Sequence, residues 1–531
     1  MNEETHLLTS SFNQQEVGNE HPTHPHPHPH ANTKRLLTSL HTSMISLGGI
    51  IGTGLFIGVR ITLLNGPIIS LMSYLYISLI CFYIIQAVGE MSCYMPLNGS
   101  LCQFQFIYIS NPIGIINNFI YWISWSITLA LELSLIYNML KYWQWQWLDI
   151  IGETWMIFII WTILTICNLF PVNNYGNIEF IITIFKIFFM MGWIVISISL
   201  IMNNGSGSGF KYWNKDLIWG IDYIKVIENP VGSKLINILS SLISSCFTFQ
   251  SIESVAICSG EIIDVHKNLP RAIKYVVSRI VIFYILTLFL LTLMIPSNDP
   301  RLVSSGEGDN DMFSSPFLIG LINMGMSSSS FLLGFFNFII LISMVSAANS
   351  NIYFGSRCLL SMVEEGYFPV MFGETTKSGV PLNAILLTSS IGLISLLSKF
   401  KSIDIFYKLL INLSSTSGLI MWLFISISYL QFRKALAFNS IVYENLAYTA
   451  IHRFPMIKFS YITIVSIVTI IIGNGIVNIW EFSWDSFISC YLTSIILIVG
   501  SVWLSMIWKQ PILKKVEDID IFTDQSVHAF K

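Results

Sequence analysis

Three ionisable side chains stand inside apolar runs where charge is costly. Glu132 lies in Leu129-Ala130-Leu131-Glu132-Leu133, Glu253 in Gln250-Ser251-Ile252-Glu253-Ser254, and Lys186 in Ile184-Phe185-Lys186-Ile187-Phe188. A charged group at the centre of a bilayer costs about 2.5–3.5 kcal/mol or more, so each is a functional candidate. The two carboxylates have the chemistry to hold a cationic ligand, to take a proton, or to brace an interrupted helix. Lys186 has no nearby acid in the sequence, and a desolvated lysine is a group that exchanges its proton. The structural alternative for all three is an ion pair or a side chain reaching the interface. Glu90 and Glu261 fall near the ends of apolar runs and read as interfacial.

A second kind of chemistry belongs to the backbone. Gly48-Gly49-Ile50-Ile51-Gly52-Thr53-Gly54 puts four glycines inside the first long apolar segment. Every backbone group in lipid must be satisfied internally, and irregular backbone survives there only where protein buries it or a cavity receives it. Small residues also serve close helix packing. The sixth apolar run makes the same kind of interruption, at Ser244-Ser245-Cys246-Phe247-Thr248-Phe249-Gln250-Ser251-Ile252-Glu253-Ser254. Two interrupted helices at matching positions of two halves point to a transporter site at the membrane midplane.

The elements that must carry these residues are membrane helices. Of the residues, 53% are hydrophobic and only 11% charged, and the mean hydropathy is +0.67. Apolar runs of membrane-crossing length number about 12. They start near Leu36, Pro67, Ile113, Thr154, Glu179, Leu235, Ile280, Ser327, Leu382, Ile405, Phe459 and Ser486. The expected fold is an all-α polytopic membrane protein with a five-plus-five inverted-repeat core, broken in helices one and six. Its expected divisions are a disordered tail (1–35), a first repeat (36–202), an outer loop (203–234), a second repeat (235–431), an inner loop with helices eleven and twelve (432–508), and a final tail (509–531). With both ends on one side, that side carries 16 Lys and Arg against 10 opposite, which places both termini in the cytosol.

Residues 1–33 are polar, and no cleavable signal pattern precedes the first apolar segment. The run His24-Pro25-His26-Pro27-His28-Pro29-His30 reads as a disordered tail, since alternating proline offers no fixed ligand geometry. The eight cysteines are scattered without Cys-x-x-Cys, so no zinc site or disulfide scaffold is expected. No cofactor is expected, and no basic stripe suggests nucleic acid. Asn204-Gly205-Ser206 is a glycosylation acceptor in the outer loop. Trp143, Trp145 and Trp147 read as an interfacial belt. Aromatics in Tyr121-Trp122-Ile123-Ser124-Trp125 are better placed to line a site for an ammonium-bearing ligand.

From about Thr38 to Asp524 the chain resembles the fungal amino-acid permeases of the amino acid–polyamine–organocation superfamily, closest to their basic amino-acid (arginine/lysine) branch. The resemblance is carried by Met44-Ile45-Ser46-Leu47-Gly48-Gly49-Ile50-Ile51-Gly52-Thr53-Gly54-Leu55-Phe56, by Val88-Gly89-Glu90-Met91, and by Ala130-Leu131-Glu132-Leu133. Phe247-Thr248-Phe249-Gln250, Leu269-Pro270-Arg271-Ala272-Ile273-Lys274 and Ser346-Ala347-Ala348-Asn349-Ser350-Asn351-Ile352-Tyr353 extend it. It implies proton-coupled uptake of amino acids at the plasma membrane, cationic ones foremost (arginine and lysine, with histidine a further candidate). Gly52, Thr53 and Gly54 would then meet the substrate carboxylate. Carbonyls of Ile50 and near Phe247 and Gln250 would hold its ammonium. Phe247 would act as an aromatic gate, Lys186 as the proton site, and Ser124 and Ser414 as walls of the side-chain pocket. The cytosolic tails would be open to ubiquitin-ligase machinery.

Departures from the family pattern bear on specificity. Its sixth-helix motif continues Gln-Gly-Thr-Glu, whereas here Ser251 and Ile252 follow Gln250; glycine is what frees that backbone. Asp264-Val265 replaces the customary Asn-Pro. The competing functions are a permease for neutral or broad-range amino acids and a transporter-like sensor. A signalling extension would favour the sensor, and the tail of about 38 residues is short for one. No nucleophile elbow, metal cluster or phosphate loop points to an enzyme.

Overall fold

The computed structural model describes residues 35–531 apart from 204–209, 215–216, 221–229, 304–314, 328–330, 401–402, 451–453, 477–481, 524, 527–528 and 531. The His/Pro run and Asn204 lie outside the described residues.

Among those residues, 11 helices are long and apolar enough to cross a membrane. In chain order they are Ser39–Leu64, Pro67–Tyr94, Asn111–Trp143, Gln146–Asn168, Val172–Asn203, Val231–Ile257, Val265–Met294, Phe331–Glu364, Leu409–Phe438, Met456–Asn474 and Trp484–Trp508. The ninth expected span is the shorter apolar helix Leu382–Leu397, between the eighth and ninth of these. Its α-helical part, Leu382–Ile391, passes into the 3₁₀ stretch Gly392–Phe400. At about 1.5 Å per α-helical and 2.0 Å per 3₁₀ residue, the pair reaches roughly 33 Å, enough for the hydrocarbon core. Counting this helix, spans one to twelve follow the expected order.

Local signals set the helix starts. Thr38 caps span one, accepting from the His41 amide at 3.4 Å. Proline occupies the first turn of spans two and three, where its missing N–H costs nothing. Span five begins at Val172, two turns before the expected Glu179. The segment Val265–Lys274, ahead of the expected start of span seven near Ile280, is an amphipathic helix with Val265, Leu269, Ala272 and Ile273 buried.

Each set of five spans opens on a broken helix. Five is odd, so the second set starts from the opposite side of the membrane. Span one is helical over Ser39–Ile50, leaves the helix at Ile51 (φ −81°, ψ 82°) and resumes as the π-helical turn Gly54–Gly58. Span six is helical to Phe249 and resumes at Ser254–Ile257. The two breaks are pressed together: a Cβ on Gly54 would lie 2.9 Å from Thr248 Cα and 3.0 Å from the Phe247 carbonyl oxygen.

The segments entering span one and leaving span six are also tied. Leu36 and Leu37 N–H donate to the Glu261 carbonyl at 3.0 Å, and Ile263 N–H donates to Leu37 at 2.9 Å. Glu90 and Glu261, expected at the interface, are instead buried. Glu90 accepts from Tyr429 (2.7 Å), Tyr443 (2.5 Å) and the Ala450 amide (2.6 Å). Glu261 pairs with Arg357 at 3.3 Å and accepts from Tyr353. Both carboxylates are tolerated in burial near a span end because these partners offset the cost of desolvation. The end of the chain folds back, Lys514 donating to the Ile109 and Phe106 carbonyls (both 2.7 Å) and Ala529 accepting from the Ala447 amide at 2.7 Å.

Candidate functional site

Between the two breaks lies a cavity with about 400 Å³ of space unfilled by protein, part of it open to solvent. Gly49, Gly52, Thr53 and Gly54 of span one form one wall, and Phe247, Thr248, Gln250 and Ser251 of span six another. Trp125, Thr128 and Glu132 contribute from span three, Ala347 and Asn351 from span eight. The spacing Trp125, Thr128, Glu132 runs i, i+3, i+7, which keeps all three on one helical face.

The backbone at the span-one break starts a new helix whose leading amides stand at the cavity. Leu55 and Phe56 N–H both turn back to the Gly52 carbonyl, at 3.1 and 3.2 Å. The amides of Gly52, Thr53 and Gly54 precede Leu55, the first N–H to find an acceptor inside the new helix, as the leading N–H groups of any helix do. On the other side of the break, Ile50 ends its helix and its carbonyl is among the terminal acceptors without an intrahelical donor. A zwitterion has a group for each.

At span six, Gln250 N–H reaches Phe247 and Ile252 N–H reaches Phe249, both at 3.4 Å, so the chain turns rather than continuing its helix. Ser251 makes the turn with φ +81°. That region favours glycine and costs other residues roughly 1–2 kcal/mol. The family's glycine is replaced, but the conformation that glycine suits is kept.

Of the expected site residues, Gly52, Thr53, Gly54, Glu132, Phe247 and Gln250 line the cavity. Ser124 and Ser414 stand just behind it in a hydroxyl cluster. Thr128 Oγ1 and Ser414 Oγ are 2.7 Å apart, Ser414 donates to Gln250 Oε1 at 3.0 Å, and Ser124 reaches Ser414 at 3.5 Å. Glu132 accepts the hydroxyl of Thr53. Glu253 is fully buried away from the cavity wall, accepting from Tyr121 at 2.8 Å and Trp422 Nε1 at 3.0 Å. Its contacts brace the span-six break against spans three and ten.

Lys186 lies behind the break in span one. Its Nζ donates to the Gly48 carbonyl at 2.8 Å and to Ser346 Oγ at 2.9 Å. It is not without an acid: Glu179 Oε1 is 3.9 Å from Nζ, and both side chains are fully buried. The two stand seven residues apart, one helical face. With span five starting at Val172, Glu179 stands two turns inside the helix rather than at its end.

Sequence reasoning passed over Thr128, Ala347 and Asn351. Asn351 Nδ2 and Trp125 Nε1 are buried and have no hydrogen-bond partner among the described residues. Both belong to cavity-lining side chains. An uncharged polar residue in a small-residue helix gives little signal, and only the position of Asn351 one turn from Ala347 marks it.

The chain as a whole is similar to known proteins. The Amino acid permease family profile matches residues 41–517. The Lysine-specific permease of Saccharomyces cerevisiae is 36% identical over 499 residues, covering 93% of this chain and 79% of that protein. A lysine/arginine permease of Candida albicans is 37% identical over 469 residues, 88% of this chain and 79% of that one. The basic amino-acid permease of S. cerevisiae is 35% identical over 498 residues, 93% and 84%. This multi-pass membrane protein thus belongs to the amino acid permease family.

Proposed function

We propose that the protein imports cationic amino acids across the plasma membrane together with protons, with both termini in the cytosol. The observation that carries this reading is the cavity between the two broken helices. It joins free helix-end amides at Gly52–Gly54 to the buried carboxylate of Glu132. The amides and the terminal carbonyl of Ile50 suit the carboxylate and ammonium that every amino acid has. Glu132 supplies a negative field in a low-dielectric site, where an unpaired cationic side chain would be costly. The hydroxyls of Ser124, Thr128 and Ser414 and the Gln250 amide offer an adaptable polar wall for the side-chain end. Relatives named for lysine, arginine or basic amino acids support the same substrate class.

Lys186 serves in this reading as the proton-coupling group, since its ammonium touches the carbonyl at the start of the span-one break. The two five-span units, 36–202 and 235–431, would move against each other around the cavity. The terminal tails would be the segments open to ubiquitin-ligase machinery.

The deciding experiment is uptake of labelled arginine, lysine and leucine in permease-deficient cells, with and without a protonophore and with sodium replaced. Arginine or lysine uptake that collapses with the protonophore and ignores sodium is expected. Equal competition by leucine would replace the cationic reading with a broad-range one. Sodium dependence would remove Lys186 from its role.

A further inference from the structure

We propose that the transported proton is held not by Lys186 alone but by a triad of Lys186, Ser346 and Glu179. This deepens the proton-coupled reading above and rests on it. Ser346 stands between the other two: Lys186 Nζ donates to its Oγ at 2.9 Å, and its hydroxyl donates to Glu179 Oε1 at 2.5 Å. A proton can therefore pass from Nζ to Oγ while the hydroxyl proton passes to Oε1. The ammonium–carboxylate pair becomes amine and carboxylic acid, with no proton gained or lost. Losing one proton to solvent from either form leaves amine and carboxylate.

Electrostatics gives the triad its purpose. A lone ammonium carried into the membrane core bears the full desolvation cost, whereas the loaded triad is neutral overall. Glu179 is what makes it neutral. Its second oxygen, Oε2, is buried with no partner among the described residues. Such a carboxylate is under-solvated and is held by its neighbouring cation.

The fold makes room for this group at the break itself. A Cβ on Gly48 would collide with Glu179 Oε1 and lie 2.7 Å from Thr183 Oγ1. The same Gly48 gives its carbonyl to Lys186 at 2.8 Å. Gly48 is thus touched from both ends of the ion pair, four residues before Gly52, so a change in charge on the pair acts on the backbone next to the cavity. Hydrogen bonds to an ionised donor are roughly twice as strong as neutral ones, which ties the grip on Gly48 to proton occupancy.

Other charged and titratable groups around Glu179 are Tyr175 on its own helix, His41 beside Gly176 on span one, Tyr353 and Arg357 on span eight, and Glu132, which acts on Lys186 from span three. Tyr175 is engaged with Ser350 at 3.0 Å and Arg357 with Glu261. Glu179 is the carboxylate within 4.0 Å of Lys186 among the described residues.

The test compares full-length wild type with Glu179→Gln, Glu179→Asp and Ser346→Ala in permease-deficient cells, at matched surface levels, across external pH. Glu179→Gln is expected to move half-maximal lysine uptake to more acidic pH by about one unit, a tenfold higher proton concentration. It is also expected to lower steady-state accumulation while lysine–lysine exchange remains measurable. Glu179→Asp should move the profile back toward wild type, which a purely packing role would not require. Ser346→Ala alters no charge and should shift the profile in the same direction; it decides the matter if Glu179→Gln does not reach the surface. A wild-type pH profile in Glu179→Gln, or in Ser346→Ala where that variant decides, overturns the triad. If Lys186→Ala is uncoupled in the same experiment, the Lys186 reading survives that loss. If Lys186→Ala stays coupled, the underlying reading fails and the triad with it.

Discussion

Thr53 donates its hydroxyl to Glu132, tying the break in span one to the middle of span three. The bond sets a cavity-lining carboxylate beside the backbone amides of Gly52–Gly54, to which the proposed function assigns the substrate carboxylate. In the function proposed above, Glu132 biases the cavity toward ligands whose net charge is positive.

Glu132→Gln removes this charge and keeps an oxygen that can accept from Thr53. Hydrogen bonds to charged groups contribute about 1.5–3 kcal/mol, so a loss of about tenfold or more in apparent affinity for lysine and arginine is expected. Competition assays in wild type and variant measure it. An unchanged lysine KM would show that Glu132 does not supply the field.

The strained turn at Ser251 makes a prediction of opposite sign. Ser251→Gly should relieve a left-handed conformation costing roughly 1–2 kcal/mol, partly offset by glycine's greater entropy when unfolded. Thermal unfolding of the purified proteins should show a higher Tm for the glycine variant. Ser251→Val should lower it, because a β-branched residue tolerates this φ least.

Much of this was legible in the chain. The interruption at Gly48–Gly54, the matching one near Gln250 and the membrane burial of Glu132 and Lys186 follow from a single rule: lipid leaves no polar group unaccounted for. What the sequence hid was pairing. Glu179 reads as the start of a helix until the two turns before it are seen to be helical too. Glu90 and Glu261 read as interfacial because their partners, Tyr443 and Arg357, are hundreds or tens of residues away and no local pattern announces them. Span nine looked ordinary in composition, and nothing in it announces that the 3₁₀ half starts at Gly392, where a Cβ would lie 2.5 Å from Leu129 Cδ2.

The glycines of the break set a steric limit. A Cβ on Gly52 would sit 3.0 Å from Ala347 Cβ, and one on Gly54 would press on Thr248 and Phe247. Gly52→Val should reach the cell surface and lose uptake almost entirely. Gly54→Ala should reduce uptake by about tenfold or more, since overpacking of this kind costs about 1–3 kcal/mol and separates the two broken helices. Surface labelling with uptake separates misfolding from a lost site, and normal transport by Gly52→Val would remove the proposed carboxylate position.

Outside the spans, Asp299 gives a pH prediction. Burial pushes its carboxyl up, but hydrogen bonds from Arg301 and Asn323 more than reverse this and hold it below its usual 3.8. A depressed carboxylate contributes stability above its unfolded value, lost as pH falls through the folded one. The Asp299–Arg301 contact (2.7 Å) should therefore persist at mildly acidic pH. Asp299→Asn should lower Tm at pH 6 and make progressively less difference below about pH 3.8.

Asn351 sets stability against function. Its Nδ2 is buried at the cavity wall without a partner among the described residues, and leaving such a donor unpaired costs about 1–3 kcal/mol. Leucine has nearly the same shape and no donor. Asn351→Leu should thus stabilise the empty protein, raising its Tm, while weakening uptake, because a bound substrate would lose its contact with that N–H. The converse holds for ligand-induced stabilisation: lysine should raise the Tm of wild type more than that of the variant, since only a ligand that pairs the donor recovers its cost. The two measurements must move in opposite directions. Lower stability with unchanged uptake would make Asn351 a packing residue, and the open donor a consequence of the fold rather than a contact kept for the substrate.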